Sequence, residues 1–183
     1  MRAFLGIPIP DELKPRINQI QDGLDDFDVK LVEKENLHFN LKFFKDIENE
    51  KVEKLKEILS KISTQFEPFE INIDGMGAFP SKSYVKVVWL GVKEGSQTFK
   101  ALAEMIENSL EKLEIEKEEE FVPHLTLGRV KSSRNKTELL VFLRKYEKIQ
   151  VGKMMIDELT LFQSKLSPKG PVYEEVFTVK LGH

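Results

Sequence analysis

The chain reads as an α+β protein with antiparallel sheets and amphipathic helices on the outside, and three observations point there. Short strand-like runs recur along it, apolar in RAFLGI and alternating polar and apolar in ENLHFNLKFF and FVPHLTLGRV. Between them lie segments whose apolar residues recur at spacings of three and four, the period of a half-buried helix. The strand-like runs also follow one another in pairs, which a strictly alternating parallel sheet would not allow.

RAFLGI opens as a strand, and Pro8, Pro10 and Asp11 punctuate it before a first helix with Leu13, Ile17, Ile20 and Leu24 on one face. Asp22, Asp25, Asp26 and Asp28 make a polar turn, and VKLVE and ENLHFNLKFF are the next two strands. A second helix carries Val52, Leu55, Ile58, Leu59 and Ile62, with Pro68 as its stop. FEINIDGMGAF and YVKVVWLGV then form a hairpin joined through residues 79–83. Ser96 is expected to cap a third helix with Phe99, Leu102, Ile106, Leu110 and Leu113 on its buried face. The acidic run EIEKEEE is read as solvated helix end and loop, without chemistry of its own. After FVPHLTLGRV a fourth helix is marked by Leu139, Leu140, Leu143 and Tyr146, and the chain finishes in two extended runs, KMMIDELTLFQSKL and VYEEVFTVKL. Each half thus offers helix, histidine-bearing strand, helix and extended runs, an order that two similar lobes about a pseudo-twofold axis would produce.

The 183 residues, 40% hydrophobic and with no composition shift or linker, are read as one domain, 1–183, of two intimately packed lobes. A net charge of −3 argues against broad coating of nucleic acid and leaves room only for a small, focused RNA contact. The absence of cysteine removes disulfides and thiolate metal sites and suits the cytoplasm. No apolar run approaches membrane-spanning length, so no membrane partner is expected.

Only three histidines occur, and His183 is the last residue. The other two sit in matching strands: alternation puts His38, Asn40 and Lys42 on one face against Phe39, Leu41 and Phe43, and His124 and Thr126 on one face against Leu125 and Leu127. Either histidine alone would suit a half-buried packing position, but the repetition of histidine, then a short hydrogen-bonding residue two positions on, argues for a shared task. No set of three or four metal ligands at matched spacing is present, nor a serine elbow, a Walker loop or a dinucleotide fingerprint, so neither metal nor cofactor is expected. Two imidazoles do suit opening of a phosphodiester. An ordinary pKa near 6.5 lets one be neutral and take a proton while the other is charged and gives one. Asn40 and Thr126 would donate to the non-bridging phosphate oxygens.

His38-Phe39-Asn40-Leu41 and His124-Leu125-Thr126-Leu127 resemble the doubled His-x-Thr/Ser-x motif of the 2H phosphoesterase superfamily, and within it the RNA 2',3'-cyclic phosphodiesterase branch, also called the 2'-5' RNA ligase family. MRAFLGI, GAFPSKSYVKVVWLGV and LTLFQSKLSPKGPVYEEV extend the likeness over nearly the whole chain, in family order. The resemblance implies a bilobed, pseudo-twofold fold whose lobes each lend one motif strand to a central cleft. It implies opening of 2',3'-cyclic phosphates at RNA 3' ends to 2'-phosphates, and a monomer is expected. His38 would be the proton donor and His124 the proton acceptor, a division the residues themselves leave open. ATP-independent 2'-5' joining of tRNA halves is the alternative within the family, and a non-catalytic RNA-end binding module the alternative outside it.

The chain departs from the motif at Asn40, where Thr or Ser is usual. Arg129, at a place where family members often carry Arg, would pair with a phosphate, although alternation turns it from the His124 face unless Gly128 supports a bulge. Lys42 on the His38 face would attract the phosphate or stand solvated. Phe4 is read as core, with base stacking as the alternative, and Tyr173 as packing at a strand start.

Overall fold

The computed structural model describes residues 1–118 and 120–183, so one glutamate of the acidic run lies outside the described residues. In chain order the elements are β1 (Ala3–Pro8), α1 (Lys14–Asp22), β2 (Val29–Leu31), β3 (His38–Phe44), α2 (Asn49–Ser63), β4 (Phe69–Pro80), β5 (Val85–Val92), α3 (Ser96–Leu110), β6 (His124–Val130), α4 (Lys136–Lys145), β7 (Gln150–Ile156), β8 (Glu158–Ser167) and β9 (Gly170–Lys180). Short 3-10 turns precede α1 and β3 and follow α3.

All strand pairs are antiparallel, in the order β7-β4-β5-β6-β3-β1-β8-β9, with β2 added alongside β6. The seam lies between β6 and β3, and each motif strand heads its own side of the sheet, β3 followed outward by β1, β8 and β9, and β6 by β5, β4 and β7. The α+β fold with pseudo-twofold lobes therefore stands as expected. The seam is thin, with Phe39 opposite Leu125 as its one bridging pair.

The expected two final runs are three strands. Asp157 alone separates β7, which pairs with β4, from β8, which pairs with β1 at the far side of the sheet. Strands about 4.8 Å apart would hold these two roughly 29 Å from each other in a flat sheet, so the sheet curls. The sequence did carry a sign of the break: Met154 and Ile156 are buried, and then Leu159 and Leu161, a shift of one in the alternating phase.

On one face the sheet buries Leu5, Phe39, Leu41, Leu90, Leu125 and Leu161. The facing stripes are Val52, Leu55, Leu59 and Ile62 of α2 and Phe99, Leu102, Ala103, Ile106 and Leu110 of α3, spaced as the periodicity predicts. Two helix ends differ from expectation. Ser96 is the first residue of α3 rather than its cap; Gly95 precedes it at φ 81°, where a Cβ would collide with Glu70 O. Helix α2 ends at Ser63, short of Pro68, with Thr64 in the cap position. Phe99 meets Phe39 edge-on at 5.5 Å, so the α3 core braces the back of the histidine strand. Among the described residues no helix is long and apolar enough to cross a membrane.

Candidate active site

The opposite face of the central strands floors a cleft of about 540 Å³ lined by His38, Asn40, His124, Thr126 and Arg129 together with Arg2, Phe4, Phe43 and Tyr173. Continuing the antiparallel register one residue each way from Phe39 and Leu125 sets His38 across from Thr126 and His124 across from Asn40. The two imidazoles thus lie on a diagonal, positions about 7–8 Å apart in a regular antiparallel pair. A tetrahedral phosphate fits between groups at that separation.

Both imidazoles are anchored in the same way. His38 Nδ1 is 2.6 Å from Asn36 O, and His124 Nδ1 is 2.7 Å from Val122 O, each a carbonyl two residues upstream. A carbonyl only accepts, so Nδ1–H donates and each neutral ring keeps Nε2 as its free acceptor. The rings are further fixed by aromatics. Phe4 stacks on His38 at 4.4 Å and Tyr173 stands edge-on to it at 5.4 Å, while Phe79 stands edge-on to His124 at 4.9 Å. Burial lowers the pKa of both histidines; the carbonyl contacts oppose this, and His124 adds a further lowering to His38, as Arg129 does to His124. Tyr173 is pushed upward by burial and by Glu33, so its hydroxyl stays protonated at neutral pH.

Arg129 reaches the cleft through a bulge. Val88 pairs with Gly128 and Trp89 with Thr126, leaving Leu127 without a partner on β5 and moving Arg129 onto the His124 face. The same irregularity occurs in the other lobe, where Leu5 pairs with Lys42 and Gly6 with Asn40, leaving Leu41 unmatched. Each bulge lies three positions after its histidine, and each brings the residue at the fifth position, Phe43 or Arg129, into the cleft.

That second bulge overturns the expectation for Lys42. Strict alternation would have placed it beside His38; instead it turns to the buried side, 3% exposed, with Nζ 3.1 Å from Glu107 Oε1 and 2.8 Å from Glu116 O. The acidic run, read as wholly solvated, therefore lends a carbonyl to a buried lysine. Lys42→Met should lower stability by about 3 kcal/mol or more by stranding the Glu107 carboxylate, with kcat and KM on a cyclic-phosphate substrate changed less than threefold. Denaturant midpoints and initial rates check this; a raised KM at unchanged stability would return Lys42 to the cleft.

Phe4, expected chiefly in the core, is only 3% exposed, yet it packs in the cleft wall against His38, Phe162 and Tyr173. Sequence reasoning missed Arg2 and Phe43 outright and undervalued Tyr173. The available signal for Phe43 was Gly6 inside a strand pattern: a Cβ there would sit 2.9 Å from Phe39 O, so only glycine allows the close approach beside the bulge. Arg2 rests its guanidinium 4.8 Å from the centre of the Phe43 ring. Among the described residues no three His, Cys, Asp or Glu side chains gather as a metal site.

The family model described as the 2'-5' RNA ligase superfamily matches residues 9–167. The RNA 2',3'-cyclic phosphodiesterase of Methanothermobacter thermautotrophicus is 39% identical over 183 residues, covering 99% of both chains. That of Methanocaldococcus jannaschii is 38% identical over 178 residues, 96% of this chain and 98% of its own. Among solved structures, TT0787 of Thermus thermophilus superposes with a TM-score of 0.84 at 24% identity, covering 100% of this chain and 98% of its own. E. coli LigT complexed with 3'-AMP has a TM-score of 0.77 at 21% identity and covers the same shares, so the likeness is one of fold. This chain belongs to the 2'-5' RNA ligase superfamily.

Proposed function

We propose that the protein is an RNA 2',3'-cyclic phosphodiesterase that adds water to the cyclic phosphate at an RNA 3' end and leaves a 2'-phosphomonoester. The observation that carries the reading is the pair of imidazoles, each tied through Nδ1 to a backbone carbonyl, with Nε2 free in one cleft beside Thr126 and Asn40. His124 Nε2 takes a proton from the attacking water as its oxygen bonds to phosphorus. His38 Nε2 gives a proton to the 3' oxygen as the P–O3' bond breaks. Asn40, Thr126 and Arg129 meet the negative charge on the non-bridging oxygens. Names of relatives 37–39% identical over nearly the full length support this substrate class. The site is formed within one chain, which suits a monomer of one two-lobed domain, and we assign it to the cytoplasm, with tRNA halves among its candidate RNAs and no metal or cofactor taking part. Incubating a 2',3'-cyclic-phosphate oligoribonucleotide with chelator and mapping the monoester tests the reading: a 2'-phosphate is expected, and chelator-sensitive turnover or a 3'-phosphate would overturn it.

The proton assignments fix a pH profile. Catalysis needs His124 neutral and His38 charged, and burial holds both below the ordinary histidine value of 6.5. As pH falls through the lowered His124 value the base is lost; as pH rises through the lowered His38 value the acid is lost. The bell in kcat/KM, which reports the free enzyme, is therefore centred below pH 6.5, with apparent values that belong to the pair. Bound phosphate, being anionic, raises both groups and moves the kcat bell to higher pH. Initial rates across pH at low and saturating substrate check this, and a kcat/KM maximum above 6.5 would contradict the assignment.

A further inference from the structure

Beside the cleft runs a second groove of about 550 Å³, walled by the start of β5, the end of β6 and the first turns of α4, with Arg129 in the wall of both. Among the described residues Lys86, Arg129, Lys131 and Lys136 line it and no carboxylate does, in a chain whose net charge is −3. These four cations enter none of the ion pairs among the described residues, which leaves them able to meet an anion. Asp28, behind the loop, is taken by the Ser132 hydroxyl at 2.5 Å. At the mouth Tyr84 is 57% exposed, with Lys86 Nζ 5.4 Å from the centre of its ring.

An RNA whose 2' and 3' oxygens are both on the cyclic phosphate continues only in the 5' direction, so its body must leave the cleft along a surface that tolerates phosphates. We propose that this groove carries the single-stranded RNA immediately 5' of the cyclic end, with Lys131 and Lys136 on successive phosphodiesters beyond Arg129 and Tyr84 as a platform for one base. Cations along a track with an exposed aromatic are the chemistry of single-strand binding without sequence readout. It also explains how an acidic protein holds RNA: the attraction is confined to one groove continuous with the reacting phosphate. The inference rests on the cyclic phosphodiesterase reading.

The test compares a 2',3'-cyclic mononucleotide with a hexaribonucleotide ending in the same nucleotide. Wild type should show the higher kcat/KM on the hexamer. The double variant Lys131→Glu/Lys136→Glu should lose roughly tenfold on the hexamer, with the salt slope reduced by about 0.7 for each phosphate contact removed, and stay within twofold on the mononucleotide. Lys131→Arg/Lys136→Arg should keep the preference, and Tyr84→Ala should weaken it. Equal effects of the charge reversal on both substrates, or none on either, would overturn the groove. If wild type opens neither substrate, the reaction reading has failed by itself; fluorescence anisotropy of the labelled hexamer then decides the groove, which is overturned if wild type and the charge-reversed variant bind alike.

Discussion

His124→Ala is expected to slow opening of the cyclic phosphate by about 10² to 10⁴, the range of a positioned proton-transfer group, and His38→Ala by a similar factor. The two rings have near-equivalent surroundings: each donates Nδ1–H to the carbonyl two residues back and offers Nε2 to the same cleft. Under the proposed mechanism each carries one proton of the same exchange, and the double variant should be scarcely slower than either single one, because groups that act as a unit lose their joint effect with the first removal. The singles differ in what else they disturb. His38 has Phe4 stacked on its face at 4.4 Å and Tyr173 edge-on to it, so its removal opens a gap in the cleft wall. His124 has only edge contacts, from Phe79 at 4.9 Å and Trp89 at 6.2 Å, and is the cleaner substitution. Single-turnover rates on a cyclic-phosphate oligonucleotide, with a thermal melt for each variant, separate chemistry from folding. A folded His124→Ala protein that keeps most of its rate would refute the mechanism, and strictly additive losses in the double variant would show that the histidines act in separate steps.

The same two strands show where sequence was a sufficient guide and where it was not. Period two placed His38 with Asn40 and His124 with Thr126, because local alternation governs side-chain direction as long as the ladder is regular. Three positions after each histidine the ladder stops being regular, and there the reading divided. Arg129 was left conditional on a bulge at Gly128, a visible glycine, and the structure supplies the bulge one residue earlier, at Leu127. Lys42 had no such glycine on its own strand; the permitting residue, Gly6, sits on the neighbouring strand, and a single sequence does not show which strands pair. The inward turn of Lys42 also depends on Glu107, on a helix far along the chain. Helix faces were legible throughout because an amphipathic stripe is a local property, as with Leu55, Leu59 and Ile62 of α2. The cleft wall of Arg2, Phe4, Phe43 and Tyr173 was not, since aromatic side chains in strands look alike whether they face a core or a substrate.

Thr126→Ala and Asn40→Ala are each expected to lower kcat by about 10² to 10³, the cost of removing one donor from charge that builds in the transition state, while Asn40→Thr should hold kcat within tenfold of the parent. The seam register sets each of these residues opposite a histidine, His38 facing Thr126 and His124 facing Asn40, so under the proposed mechanism a phosphate would meet one donor beside each proton-transfer group. The two donors differ in how they sit. Asn40 lines the cleft, and its Oδ1 is buried without a hydrogen-bond partner among the described residues. A planar amide turns its N–H bonds only by moving the whole group, whereas a hydroxyl rotates its single proton to find an acceptor. Threonine at position 40 would restore the hydroxyl and remove the stranded oxygen, whose burial costs about 1–3 kcal/mol. Asn40→Thr should therefore be the more stable protein by roughly 1 kcal/mol, read as a higher denaturant midpoint at unchanged m-value. Asparagine would then be retained for the direction of its N–H rather than for the fold. Asn40→Ala with kcat within threefold of the parent would remove Asn40 from the site and leave Thr126 as the donor that matters.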